Sequence, residues 1–175
     1  MRVLDPSSVR SASLRLGLTA LFAIALSACA GYSPGDLKPG TPISEVTARM
    51  GPPTGEYAGP DGSRRYEFAR GPFGKHTYMI DVNPQGQVTQ WDQVLNDGNF
   101  DSLPVGLSEQ ELLYRIGHPA EILELPRRQE QVWSYRYQVY ECIWFQASID
   151  QPTKKVTSYG RGIDWKCDAG RGPRK

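Results

Sequence analysis

Two stretches of the chain share one spacing of apolar positions. In "LKPGTPISEVTARMGPP" (37–53) Val46 and Met50 lie four apart, as do Leu112 and Ile116 in "LPVGLSEQELLYRIGHP" (103–119). That interval places both side chains of each pair on one face of a helix. The stretches align without a gap: Leu37, Gly40, Glu45, Arg49, Gly51 and Pro53 match Leu103, Gly106, Glu111, Arg115, Gly117 and Pro119. The ends are marked as well. Ser108 with Glu111 forms a capping box that satisfies the first backbone N–H groups. Thr41 before Pro42 predicts a cap with proline at the first helical position. Gly51 and Gly117 suit a left-handed turn that ends a helix, with proline beyond to block its continuation. Helices of about two turns do not stand alone in water. Each must pack on a sheet.

The sheet pattern follows each helix. "RRYEFAR" (64–70), "KHTYMIDV" (75–82) and "QVTQWDQVL" (87–95) alternate apolar with polar residues and are separated by Gly71-Pro72-Phe73-Gly74 and Pro84-Gln85-Gly86, both turn-forming clusters. The second copy repeats the order with "QVWSYRYQ" (131–138), "CIWFQASI" (142–149) and "KKVTSYG" (154–160), with a turn at Asp150 to Thr153. Tyr66 and Phe68 form one sheet face, as do Trp133, Tyr135 and Tyr137. Residues between Gly98 and Leu103 add a short first helix to the second unit, whereas Tyr32 to Leu37 is poor in helix formers and reads as a tether. The predicted class is α+β: two tandem repeats of a short helix, or helices, packed on a three-stranded antiparallel meander sheet.

The N-terminus has a different character. "MRVLDPSSVRSASLRLGLTALFAIALSAC" begins with Arg2, Arg10 and Arg15 and continues into an apolar run from Leu16 to Ala28. This is the layout of a secretory signal peptide. The run offers about 13 residues where a spanning helix needs roughly 20. The tetrad Leu26-Ser27-Ala28-Cys29 resembles the bacterial lipobox, which implies a thioether to diacylglycerol at Cys29 and acylation of its freed amine. Ordinary secretory cleavage with a chance cysteine nearby is the alternative. Two or three acyl chains give stable anchoring, since each buried methylene adds about 0.8 kcal/mol. Position 30 is Ala30 rather than the aspartate that retains many lipoproteins at the inner membrane. The expected location is therefore the periplasmic face of the outer membrane, held through N-terminal acyl groups.

Removing residues 1–28 takes three arginines and one aspartate from the 20 basic and 19 acidic side chains. The remainder is close to neutral, which argues against a nucleic-acid partner. The 18 glycines and 14 prolines favour sheet and turns over a helical bundle. With Cys29 in the lipid, Cys142 and Cys167 remain as an even pair in an exported chain. They form either a disulfide or two independent buried thiols. Neither has a Cys or His neighbour at ligand spacing, so no metal and no cofactor is expected. The organisation reads as a lipoprotein signal peptide (1–28), a tether (29–36), a first repeat (37–95), a second repeat (96–165) and a C-terminal tail (166–175).

A helix motif "G…E-V/L…R-Φ-G-x-P", Φ being apolar, followed by an aromatic meander in a lipobox-bearing precursor, resembles the BamE family, also called SmpA/OmlA. The stretch "YEFARGPFGKHTYMIDV" looks like an uncharacterised tandem-repeat branch of it, and the resemblance covers roughly 37–165 as two copies. It implies a fold related to the repeats of β-lactamase inhibitory proteins. It also implies a non-catalytic protein-binding module, accessory to outer-membrane β-barrel assembly or envelope integrity. The alternative is an inhibitor-like or ligand-binding protein that uses the surface of the tandem sheets.

Catalysis is not expected. His76 and His118 pair with no nucleophile in any motif, no Gly-x-Ser-x-Gly elbow is present, and the acidic residues are scattered. "ARGPFGKHT" lacks the first glycine of a phosphate loop and joins two strands instead of opening a helix. The same loop is the candidate binding surface. Arg64, Arg65, Arg70, Lys75 and His76 flank Phe73, a combination suited to anionic phospholipid head groups or an acidic protein surface. Arg127 and Arg128 fall in the matching part of the second copy.

Overall fold

The computed structural model describes residues 32–71 and 73–168. The segment expected to be a signal peptide, Cys29 and the end of the tail after residue 168 lie outside the described residues. Ser33–Lys175 forms one compact unit.

Its elements run in the order α1 (Ile43–Met50), β1 (Gly55–Ala58), β2 (Arg64–Ala69), β3 (Thr77–Val82), β4 (Val88–Gln93), α2 (Asp97–Asp101), α3 (Glu109–Ile116), β5 (Glu121–Leu125), β6 (Glu130–Arg136), β7 (Ile143–Asp150), β8 (Lys155–Ile163) and α4 (Trp165–Asp168). Strands β1 to β4 make one antiparallel meander and β5 to β8 another. Each sheet thus has four strands, not the three expected. The additional strands, β1 and β5, are short edges with only half-buried and exposed residues, so they lack the apolar alternation that marks the others.

Helix ends follow the sequence with one refinement. Ser108 and Glu111 form the reciprocal capping box. Pro42, rather than Thr41, is the N-cap of α1, and no side chain caps that helix. Gly51 and Gly117 both have positive φ, 86° and 78°, but their ψ values of −174° and −169° are extended instead of left-handed helical. That combination is essentially restricted to glycine.

The two repeats share matching backbone contacts. Gly40 N–H donates to the Val88 carbonyl and Val88 N–H to Thr41, while Gly106 donates to Val156 and Val156 to Leu107. Each third strand has an irregularity at the same place, between Asp81 and Val82 and between Ser148 and Ile149. Thr54 N–H reaches the Glu67 carbonyl as Ala120 N–H reaches Ser134. Glu67 and Ser134 are therefore counterparts, as are Arg65 and Val132.

The layers are α1, the first sheet, α2 with α3, and the second sheet. One face of the first sheet carries Phe68, Ile80 and Val82, all fully buried, and α1 buries Val46 and Met50. Its other face, carrying Arg65, Glu67, Thr77 and Met79, receives α3 of the second repeat: the Arg65 guanidinium donates to the Tyr114 carbonyl at 3.1 Å and lies 4.4 Å from the Tyr114 ring centroid. Met79 belongs to the same apolar cluster as Leu112, Ile116, Tyr135 and Phe145. Within that cluster Phe100 of α2 stacks on Phe145 at 3.9 Å between centroids. On the back of the second sheet Ser134, Arg136 and Trp144 are buried, with Phe73 over Arg136, while Leu123 is exposed and Val132, Gln146 and Ser148 are half-buried.

Arg127 and Arg128 lie in the turn between β5 and β6, which corresponds to Pro60–Gly62 of the first repeat. They do not match the 70–76 loop, whose counterpart joins β6 to β7. Strands of near-equal length had hidden the shift of one hairpin.

Candidate functional site

The junction between the repeats is built around one buried carboxylate. Glu67 sits in the middle of β2 with no solvent exposure. Tyr57 Oη donates to it at 2.6 Å and Thr54 Oγ1 at 3.0 Å. From the second repeat come the His118 backbone N–H at 3.2 Å and His118 Nδ1 at 2.8 Å. A carboxylate only accepts, so this network assigns the proton to Nδ1 and leaves Nε2 to face outward. The His118 side chain is half exposed. Burial, then the hydrogen bond to Glu67, raises the Tyr57 hydroxyl above its ordinary range, which keeps it a donor. Gly117 allows this approach: a Cβ there would lie 2.9 Å from Glu67 Cδ and from Thr77 Cγ2. Tyr135 Oη donates to the Gly117 carbonyl and completes the joint.

A groove of about 240 Å³ opens beside this joint, and both histidines line it together with Arg70. The 70–76 loop forms one wall, closed by Gly74 N–H donating to Gly71 at 3.1 Å. His76 stacks on Tyr78. The loop brings Arg70 and His76 to the groove, whereas Phe73 and Lys75 line a second hollow of about 180 Å³ against the second sheet.

That second hollow surrounds the Cys142–Cys167 disulfide, whose Cα atoms are 5.4 Å apart. The bridge ties α4 to the start of β7. Next to it, Arg136 pairs with Asp164 through two hydrogen bonds of 2.6 and 3.1 Å, both side chains being buried. The guanidinium lies 4.1 Å from the Trp144 ring centroid and 4.9 Å from that of Phe73. Burial acts to raise the Asp164 carboxyl, but Arg136 and the Cys167 and Lys166 amides outweigh it and hold the group below its usual value. Phe73, Tyr140, Ile163 and Trp165 are 71, 95, 70 and 62 % exposed.

Of the residues singled out in the sequence, Phe73 and Lys75 thus adjoin the disulfide end, while Arg70 and His76 turn toward the inter-repeat groove. Sequence reasoning missed Glu67, Tyr57 and Arg136. It had treated the acidic residues as unpaired, and Glu67 finds its partner 51 positions away. The groove contains no serine or cysteine among its lining residues.

No known protein family matches the chain, and no curated protein matches it in sequence. Solved structures give weak likenesses. A cysteine-rich secretory protein from Staphylococcus aureus is similar over 78 % of this chain and 48 % of its own, at 17 % identity and a TM-score of 0.27. A candidate β-lactamase inhibitor protein from Streptococcus mutans is similar over 74 % of this chain and 87 % of its own, at 12 % identity and a TM-score of 0.30. An extracellular protein with an SCP domain from Bacillus anthracis matches over 78 % of this chain and 47 % of its own, at 12 % identity and a TM-score of 0.28. The chain spans about half the length of the first and third. Likenesses at this level identify neither family nor activity, and the BamE motif stays a resemblance.

Proposed function

We propose that this chain is a non-catalytic protein-binding module carried on the periplasmic face of the outer membrane by acyl groups on Cys29. The observation that supports the binding role is the exposed Phe73 ring over Arg136 in the hollow beside the disulfide, with Tyr140, Ile163 and Trp165 exposed in the adjoining segments of the second repeat. Exposed aromatic groups on a rigid base are the usual anchors of protein interfaces, and isolated soluble surfaces seldom gather several of them. Lys75 and Lys166 border the same hollow. The fitting partner is a protein surface with an apolar centre edged by carboxylates. The lipobox and the repeat motif support an envelope location and an accessory role in barrel assembly or envelope integrity.

The test is affinity purification of the tagged, processed protein from gently solubilised outer membranes after in-cell crosslinking. Phe73→Ser with Trp165→Ser and, separately, Cys29→Ser serve as comparisons. Barrel-assembly subunits enriched with the native chain and lost with the aromatic variant uphold the reading. Equal recovery with the aromatic variant refutes this surface. Saturable capture of one soluble enzyme instead makes the chain inhibitor-like.

A further inference from the structure

We propose that two copies of this chain pair antiparallel through the open edge of β8, about a two-fold axis at Gly160, joining two four-stranded sheets into one. The proposal goes beyond the partner-binding reading and rests on backbone groups. Asp164 N–H donates to the Cys142 carbonyl, and Gly162, Gly160 and Ser158 lie opposite Trp144, Gln146 and Ser148. In an antiparallel ladder these alternate residues turn their N–H and C=O groups toward β7, so Tyr159, Arg161 and Ile163 turn theirs outward. Among the described residues nothing accepts from those three amides, and nothing donates to the Tyr159 and Arg161 carbonyls. Gly106 and Leu107 cover the edge only as far as Val156, through two bonds of 2.8 Å. In the first repeat the counterpart strand β4 stops at Gln93, whose carbonyl takes the Asn96 side chain, whereas β8 continues to Ile163.

An unpaired edge is a template for another strand, and the features of this one select a second copy. The open stretch from Thr157 to Ile163 has Gly160 at its middle, so an axis there uses all of it and ends each strand where the other copy's cover begins. Tyr159 then faces the partner's Arg161 in a hydrogen-bonded pair, twice, and the two glycines at 160 face each other. An axis at Arg161 would set two guanidinium side chains directly opposite, which is unfavourable. An axis at Tyr159 would run Ile163 into the covered part of the edge. Neither proline nor lysine guards the stretch. Its single charge is drawn back onto its own chain, since the Arg161 guanidinium pairs with Asp97 at 2.8 Å and lies 4.9 Å from the Phe145 ring centroid. Ile163 and Val105 are exposed at the two ends of the stretch, and the same axis carries each Ile163 toward the partner's Val105.

Gly160 allows the axis to be tested without disturbing the single chain, because a Cβ there meets nothing within 4 Å. The processed chain in detergent micelles is followed by light scattering, with the detergent mass subtracted, across a dilution series. The native chain shows twice the monomer mass. Gly160→Lys sets two ammonium groups across the axis and halves that mass at an unchanged melting temperature. Gly160→Asp does the same, and an equimolar mixture of the two variants regains the double mass. Gly160→Cys crosslinks to a dimer under mild oxidation, since residues opposed in a non-hydrogen-bonded pair lie about 4.5 Å apart at Cα, within disulfide reach. Ser158→Cys, about 14 Å from its copy along the strand, does not. The chain with Phe73→Ser and Trp165→Ser keeps the double mass, so self-pairing and partner capture fail independently. A monomeric native chain, an undiminished dimer in Gly160→Lys, a variant mixture that stays monomeric, or equal crosslinking at positions 158 and 160 overturns the proposal.

Discussion

Glu67 and His118, 51 residues apart, meet at 2.8 Å across the line where one repeat becomes the next. A buried carboxylate held by four donors, two of them from the other repeat, makes the two units interdependent. Glu67→Leu removes the acceptor and strands the Tyr57 hydroxyl and the His118 amide. The expected loss is about 2–4 kcal/mol, measured by urea unfolding, with both repeats still melting in a single transition.

Gly117 and Gly51 share a backbone conformation but not surroundings. A Cβ at Gly117 meets Glu67 and Thr77 at 2.9 Å, whereas nothing lies within 4 Å at Gly51. Gly51→Ala should cost about 1–3 kcal/mol from backbone strain alone, and Gly117→Ala at least about 1 kcal/mol more from the added overlap. Equal costs would show that α3 shifts freely on the first sheet.

Lys154 has φ +56°, in the place where the first repeat has Gly86 at φ +75°. Its contacts to Glu109 and Gln151 are exposed and contribute little. Lys154→Gly should therefore raise stability by up to about 1 kcal/mol, read as a higher urea midpoint at unchanged slope.

Asp164 and Asp81 set the acid limit. Both are raised by burial but lowered more by their partners, Arg136 for Asp164 and Arg65 with Gln90 for Asp81, to a net value below the usual 3.8. Their folded forms bind protons less readily than the unfolded chain. Their contribution is complete above about pH 4 and is lost as pH falls from 3.8 through the folded values. Asp164→Asn should flatten the decline of stability below about pH 4. It should also lower stability at neutral pH by about 3 kcal/mol, because Arg136 is left buried without its counter-charge.

Opening the Cys142–Cys167 bridge, which closes a separation of 25, should cost about 3 kcal/mol in the chain-entropy view. Its effect is local in one further respect. Trp165 loses its fixed position beside Phe73's hollow, so partner capture should fall in reducing buffer before the fold is lost. Retained capture after complete reduction would separate the binding surface from the bridge.

What the sequence made legible were features carried by neighbours along the chain. Ser108 with Glu111 and the four-residue intervals Val46–Met50 and Leu112–Ile116 depend on a single helix turn, and all three appear as expected. β1 and β5 escaped notice because an edge strand buries little and so shows little alternation. Glu67 escaped because a charged residue between Tyr66 and Phe68 reads as solvent-facing; only the docking of α3 turns that face inward. A signal was nonetheless present in the comparison of the copies. Arg65 and Glu67 stand where the second repeat has Val132 and Ser134, and a polar pair confined to one copy marks a face with its own partner.

That difference also bears on how a further copy could be added. A repeat that docks its helix on the back of the preceding sheet carries the rule for an open-ended filament, in which the next chain's α1 would settle on the second sheet of the last. Arg65 secures the last turn of α3 and Glu67 the amide just beyond it. On the second sheet those two places hold Val132 and Ser134, so an arriving helix finds no guanidinium for its carbonyls and no carboxylate for its amide. A further copy added in the same way would have to find other contacts.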